Sequence, residues 1–203
     1  MTLRGKFIAF EGGDAAGKST QAQLFAAKIG GLLTREPGGT KLGEMIRTLL
    51  LSLDDNVPLI SRAELFLFAA ARAQHVQEVI EPALEQGIDV VCDRYSASTL
   101  SYQGFGRKLP MDDVVEVVKL ASCGIEPDVY VLLDITLETA KARKILPPDR
   151  IEDEDDAFYG RVLEGFRRLA NDDPGSWVTI DADGDIQEIA DEIERLVFPR
   201  IGR

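Results

Sequence analysis

Eight consecutive residues, Gly12-Gly13-Asp14-Ala15-Ala16-Gly17-Lys18-Ser19, carry the spacing G-x-x-x-x-G-K-[ST] without a mismatch. Those residue types suit one task, the holding of phosphates. Small residues let the backbone wrap tightly, and successive N–H groups point inward at the positive end of the helix that follows. Lys18 has the length to reach outer phosphates, and the Ser19 hydroxyl suits Mg²⁺, which neutralises charge between donor phosphates. The bland use of such a stretch is a Gly-rich turn. The strand-like Phe7–Phe10 before it and the helix-like Lys18–Ile29 after it supply the context that the phosphate role requires. The loop alone does not separate kinases from GTPases and ATPases. A base-reading N-K-x-D is absent from the sequence, and so is the length of a motor-type domain.

Other residues with chemical potential lie outside the loop. Phe68 and Arg72 are four apart in a helical pattern and so share a face. There an aromatic ring can stack on a base while a guanidinium donates to a base carbonyl. A core phenylalanine is the competing role for Phe68, and the pairing with Arg72 favours a ligand. Arg35-Glu36-Pro37-Gly38-Gly39 follows an apolar run and reads as a turn able to approach a ligand. Asp93-Arg94-Tyr95 closes another apolar run. Asp93 can serve a magnesium ion through water, and the planar fork of Arg94 suits two phosphate oxygens. Asp14 sits beside Lys18, whose charge favours the ionised carboxylate; a turn role for Asp14 stays open. His75, the single histidine, reads as structural, because transfer to an already anionic phosphate needs no general base.

These residues must be positioned by regular elements. Five short runs, Phe7–Phe10, Gly31–Thr34, Val90–Cys92, Val129–Asp134 and Trp177–Ile180, read as buried strands of a parallel sheet. Helical patterns occupy Lys18–Ile29, Lys41–Leu53, Ser61–Gln86, Met111–Ser122, Thr136–Lys144, Asp156–Ala170 and Ile186–Val197, with Pro82 expected to kink or restart the longest. The alternation predicts an α/β architecture with helices on both faces of the sheet, in one domain spanning residues 1–203. The acidic run Glu152–Asp156 reads as a solvated helix start, where carboxylates suit the helix dipole.

Net charge is −12, which disfavours nucleic acid and anionic membranes as partners. A phosphate-binding chain of that charge must gather cations locally; the candidates are Lys18, Arg35, Arg72, Arg94, Arg143, Lys144 and Arg150. No apolar run reaches the roughly 18 residues of a membrane span. The N-terminal residues lack a signal-peptide pattern, and two cysteines, Cys92 and Cys123, do not suggest a disulfide framework. A cytoplasmic setting is expected.

Five pieces in order give the chain a resemblance to the thymidylate kinase family over nearly its whole length, of the bacterial type. They are Phe10–Thr20, Thr34-Arg35-Glu36-Pro37-Gly38-Gly39-Thr40, Phe66–His75, Asp93-Arg94-Tyr95 with Ser98, Thr99, Tyr102 and Gln103, and Asp149-Arg150-Ile151-Glu152. The resemblance implies a P-loop NTPase three-layer α/β/α fold with a five-stranded parallel sheet and a mobile lid at about 140–156. It implies transfer of a phosphoryl group from ATP with Mg²⁺ to dTMP, and a homodimer. By residue, it implies that Gly12 to Thr20 bind ATP and that Ser19 and Asp93 serve the metal. It further implies Asp14 toward the acceptor sugar, Glu36 and Pro37 near the acceptor, and Phe68 stacked on thymine. Arg72 bonds the base, Arg94 clamps the acceptor phosphate, Ser98 belongs to the acceptor site, and Thr99 and Gln103 lie around the thymine edge. Tyr102 stands where a ribose 2′-hydroxyl would go. Since the loop has Ala15 where other types carry arginine, the lid must supply one: Arg143 first, Arg150 second, with Lys144 a poorer substitute for a planar fork. Two departures stand out. Ala71 precedes Arg72 where the family commonly has Asp, and Ile145-Leu146-Pro147-Pro148 fills the place of a Gly in the lid. The competing functions are a kinase for another pyrimidine nucleotide and a non-catalytic ATP-binding switch.

Overall fold

A computed structural model of the protein describes residues 4–52, 58–143 and 149–203. Five strands, β1 (Phe7–Glu11), β2 (Leu32–Arg35), β3 (Val90–Asp93), β4 (Val129–Asp134) and β5 (Trp177–Asp181), form one sheet in the order β2-β3-β1-β4-β5. Every pairing is parallel. The helices are α1 (Lys18–Ile29), α2 (Lys41–Leu51), α3 (Ser61–His75), α4 (Glu81–Glu85), α5 (Ser96–Thr99), α6 (Met111–Ser122), α7 (Leu137–Arg143), α8 (Asp156–Asp172) and α9 (Ile186–Ile201).

The uninterrupted apolar run of β1 follows from its central place. Side chains alternate between the two faces of a strand, and helices cover both faces here. Ile8 and Phe10 pack among Ala22 and Phe25 of α1 and Ile189, Ile193 and Val197 of α9. Phe7 and Ala9 pack on the other face with Val76, Ile80 and Leu84. The prediction of five buried strands fails for β2. Among the described residues it pairs only with β3, and Leu32 and Leu33 are 36% and 44% exposed. An edge strand has one neighbour and weaker cover, so apolar content there does not report burial.

The predicted helix Ser61–Gln86 is one helical path with an interruption. The chain widens into a π-helical turn over Val76–Ile80, and α4 restarts with Pro82 in its first turn. A proline lacks the N–H and crowds the carbonyl four residues back, and a wider turn accommodates both. A second π-helical segment, Leu100–Gly106, continues α5 and carries Tyr102 and Gln103. At α8 the acidic run is partly as expected: Asp155 caps the helix by accepting from Phe158 N at 2.7 Å. Glu154, in contrast, pairs with Arg107. Leu53, Lys144 and the stretch 145–148 lie outside the described residues.

In this strand order β1 sits between β3 and β4, so the chain crosses over beside it. The crevice at the carboxyl ends of β1, β2 and β3 is therefore where a ligand gathers. The loops that leave those three strands carry Gly12–Gly17, Glu36–Pro37 and Arg94–Tyr95, and Lys18 and Ser19 open α1.

Candidate active site

A cavity of about 430 Å³ opens at those strand ends. Its phosphate end is the loop after β1. Gly12 has φ 135°, and a Cβ there would stand 2.4 Å from the Leu133 carbonyl oxygen, so only glycine fits between the loop and β4. Gly17 enters α1 at φ 86°. Ala15 takes the left-handed region at φ 60°, a strained backbone at the tip of the loop. The Lys18 ammonium donates to the Gly13 carbonyl and is buried. Burial pushes its pKa down to about 8, and repulsion from Arg94 adds to the effect. Ser19 Oγ donates to Asp93 Oδ2 at 2.5 Å, while Asp93 Oδ1 is buried without a hydrogen-bond partner among the described residues. A hydroxyl and a half-satisfied carboxylate beside a phosphate loop fit a hard divalent cation with water in its shell.

The middle of the cavity is a charged knot. Arg94, held at φ 69°, donates to the Gly12 carbonyl at 3.0 Å, to Ser98 Oγ at 3.2 Å, to Tyr102 Oη at 3.3 Å and to Asp14 Oδ1. Burial opposes its charge, yet Tyr102, Asp14 and Asp93 hold its pKa above the ordinary arginine value. Tyr102 and Tyr159 hydroxyls each donate to Asp14 Oδ2 at 2.9 Å. For Asp14 burial raises the pKa, but Arg94, Lys18 and the two phenols outweigh it and leave the carboxyl below its usual value. Asp14 is thus the shared acceptor that ties the phosphate loop to Arg94.

Sequence reasoning missed three contributors here. Glu11, fully buried at the end of β1, accepts from Tyr95 N at 2.9 Å, Ser98 N at 3.2 Å and Ser98 Oγ at 2.6 Å, and so fixes the entry into α5. Burial raises its pKa despite those bonds. Its signal was a carboxylate at the end of an otherwise apolar run. Tyr159 on α8 is the second, a residue that no motif marks. The third is Arg47 on α2, which lines the cavity and donates to the Pro37 carbonyl at 3.0 Å. Burial, then Arg35, lowers its pKa.

The far end is suited to a planar ring. Arg72 is 1% exposed; Nε donates to Glu36 Oε2 at 2.8 Å and Nη2 to the Tyr95 carbonyl at 2.9 Å. Its Nη1 is buried without a partner among the described residues, and so is Thr99 Oγ1. Both residues line the cavity, as do Pro37, Phe68 and Gln103. Glu36, joined to Pro37 by a cis peptide, accepts from Arg72 and faces His75 Nδ1 at 3.1 Å, whose Nε2 meets Thr34 Oγ1 at 2.7 Å. His75 is fully buried in this chain of bonds behind the cavity.

The structure therefore brings Asp14, Lys18, Ser19, Glu36, Pro37, Phe68, Arg72, Asp93, Arg94, Ser98, Thr99, Tyr102 and Gln103 to one cavity. Gly13 and Ala16 complete the loop behind it. The two arginines nominated from the lid part company. Arg143 lines the cavity and donates to the Ala182 carbonyl at 2.8 Å. Arg150 turns to the Leu50 carbonyl at 2.8 Å and Glu64 Oε2 at 2.7 Å instead. Lys144 is outside the described residues.

The chain matches the family model described as thymidylate kinase over residues 10–193. A thymidylate kinase of Synechococcus sp. (strain JA-3-3Ab) is 44% identical over 200 residues, covering 96% of each chain. A thymidylate kinase of Trichlorobacter lovleyi is 42% identical over 208 residues, covering 96% of this chain and 98% of the relative. Among solved structures, the thymidylate kinase of Ehrlichia chaffeensis superposes with a TM-score of 0.78 at 31% identity, covering 96% of this chain and 99% of that one. The loop after β1, Arg94 and Arg72 line one cavity, and relatives named thymidylate kinase align along almost the whole length; the chain belongs to the thymidylate kinase family.

Proposed function

We propose that the protein transfers the terminal phosphoryl group of ATP to dTMP, giving dTDP and ADP. The observation that carries this reading is the continuity of the cavity. Lys18, Arg94, Arg72 and Thr99 line one cavity; Arg94 bonds to Gly12 and Asp14 of the loop, Arg72 bonds to the neighbouring Tyr95 carbonyl, and Arg72 Nη1 and Thr99 Oγ1 have no partner among the described residues. Two substrates bound at the two ends meet at Arg94.

In this reading the loop N–H groups and Lys18 hold the ATP phosphates. Arg94 clamps the acceptor phosphate, held in place by Asp14, Ser98 and Tyr102. A dTMP phosphate oxygen attacks the γ-phosphorus in line with the departing ADP oxygen; the nucleophile is already anionic, so no side chain need remove a proton. Phe68 stacks on thymine, Arg72 Nη1 donates to a base carbonyl, and Thr99 and Gln103 meet the base edge. Glu36 and Pro37 wall the recess. Tyr102 fills the place of a ribose 2′-hydroxyl, and Asp14 faces the 3′-hydroxyl side of the sugar. Ser19 and Asp93 would hold Mg²⁺, Asp93 through water, and the ion supplies charge neutralisation across the donor phosphates. Residues 140–156 act as a lid that excludes water, and Arg143 is its catalytic arginine, supported by its place on the cavity wall. A homodimer is supported by Met45 of α2, Phe66 of α3 and Leu120 of α6, which are 70%, 57% and 80% exposed on helices that pack together. A reducing, cytoplasmic home suits two free thiols.

A coupled assay of ADP release tests the reading. ADP should appear only with an acceptor, and dTMP should be preferred over dUMP, dCMP and dGMP. Equal turnover with the purine, or ATP binding without acceptor-stimulated turnover, would overturn it.

A further inference from the structure

We infer that Glu64 on α3 sets the base preference of the acceptor site by fixing which end of the Gln103 amide faces the cavity. The inference rests on the reading that Gln103 meets the base edge.

Glu64 is 1% exposed and receives four bonds. Gln103 Nε2 donates to its Oε1 at 2.8 Å and Arg107 Nε to the same oxygen at 3.1 Å. Arg107 Nη2 and Arg150 Nη2 donate to its Oε2 at 3.1 and 2.7 Å. An ionised carboxylate only accepts. Burial raises the pKa of Glu64, but its bonds to Arg107, Gln103 and Arg150 outweigh that and keep the carboxyl below its ordinary value. Gln103, itself 1% exposed, must therefore turn its nitrogen to Glu64. The oxygen is then the group that the amide can offer the cavity that Gln103 lines.

That orientation has a consequence for recognition. Thymine and uracil carry an N–H at ring position 3 and a carbonyl at position 4, whereas cytosine carries a bare nitrogen and an amine there. An amide oxygen accepts the N–H of the first pair and repels the lone pair of the second. Arg72 Nη1, without a partner among the described residues, donates to a carbonyl and opposes an amine. Donor and acceptor together select an oxo-pyrimidine, and Glu64 holds the acceptor half without touching the base. Leaving a buried polar group unpaired is what makes such sites selective.

Replacing Glu64 with Gln makes the prediction sharp. One arm of the new amide must face two charged donors, Arg107 Nη2 and Arg150 Nη2, and the other arm faces one charged donor and the neutral Gln103 amide. The oxygen settles toward the two charges, the nitrogen turns to Gln103, and Gln103 flips to present its nitrogen to the cavity.

The experiment measures kcat/KM for dTMP, dUMP and dCMP in the parent and in Glu64→Gln, with melting temperature as a folding check. The dTMP:dCMP ratio should fall about tenfold or more, while the dTMP:dUMP ratio stays within about twofold. A parallel fall for all three acceptors would show that Glu64 is only a structural anchor and would overturn the inference. If Glu64→Gln does not fold, Glu64→Gln/Arg107→Leu removes charge and countercharge together and predicts the same change in ratio. Gln103→Ala separates the two levels of the argument. If it changes the dTMP:dCMP ratio and the Glu64 variants do not, the orienting role alone is wrong. If Gln103→Ala leaves the ratio unchanged, the placement of Gln103 at the base is wrong, and the inference goes with it.

Discussion

Arg72→Met separates the structural and recognition roles of one side chain. The arginine is 1% exposed and shares Glu36, itself 5% exposed, as its charged partner at 2.8 Å. Methionine keeps much of the volume but leaves the Glu36 carboxylate facing, among the described residues, only His75 Nδ1, at 3.1 Å. Removing one partner of a buried ion pair costs about 3–5 kcal/mol. For a chain of this size that lowers the melting temperature by roughly 10 °C. The variant also loses the Nη1 donor, which has no partner within the described residues and lies at the base end of the cavity. A charge-assisted bond to a base carbonyl contributes about 1.5–3 kcal/mol, so kcat/KM for dTMP should fall by about ten- to a hundredfold. The double variant Arg72→Met/Glu36→Gln decides between the two losses. With no unpaired carboxylate it should regain most of the melting temperature, because deleting both partners is far milder than deleting one. Its kcat/KM for dTMP should remain low, and ATP affinity should match the parent throughout. Differential scanning fluorimetry and steady-state kinetics read the two quantities separately. Recovery of both stability and dTMP turnover in the double variant would refute the assignment of Arg72 as the base donor.

Arg143→Ala should lower kcat by about a hundredfold with little change in KM for either substrate, whereas Arg150→Ala, which loses its bond to Glu64, should lower the melting temperature more than kcat. Parallel melting curves and initial rates distinguish the two, and the opposite pattern would transfer the lid role to Arg150. Asp93→Asn should raise the Mg²⁺ concentration for half-maximal rate about tenfold, and chelation should abolish turnover in the parent; an unchanged metal requirement would remove Asp93 from the metal site. Asp14 has a folded pKa below its unfolded value, so its contribution to stability is fully present above the unfolded pKa and is lost as pH falls through the folded one. Tyr159→Phe removes one donor from that carboxylate and should shrink the loss on acidification, read from urea unfolding across a pH series from neutral into acid; an unchanged pH dependence would remove Tyr159 from the groups that hold Asp14 ionised.

What could be read from the sequence was contiguous. The phosphate loop lies within eight adjacent residues because successive N–H groups of one loop make the site, and the strand before it is apolar up to Glu11 because helices cover both its faces. Helix α1 and strand β4 begin and end where their patterns predict. The family's motifs likewise marked most of the residues that line the cavity. Position in the sheet was not legible in the same way: Leu32 and Leu33 of β2 read as buried, and only the strand order makes β2 an exposed edge. Partner choice was equally hidden. Tyr159 lies 145 residues from Asp14 and occupies an ordinary apolar position of an amphipathic helix. Arg150 reads as a free lid cation, and the fold gives it to a carboxylate 86 residues away. Local spacing records what a backbone segment needs for itself. Which acceptor a buried donor reaches depends on where distant elements pack, and the tertiary structure alone decides that.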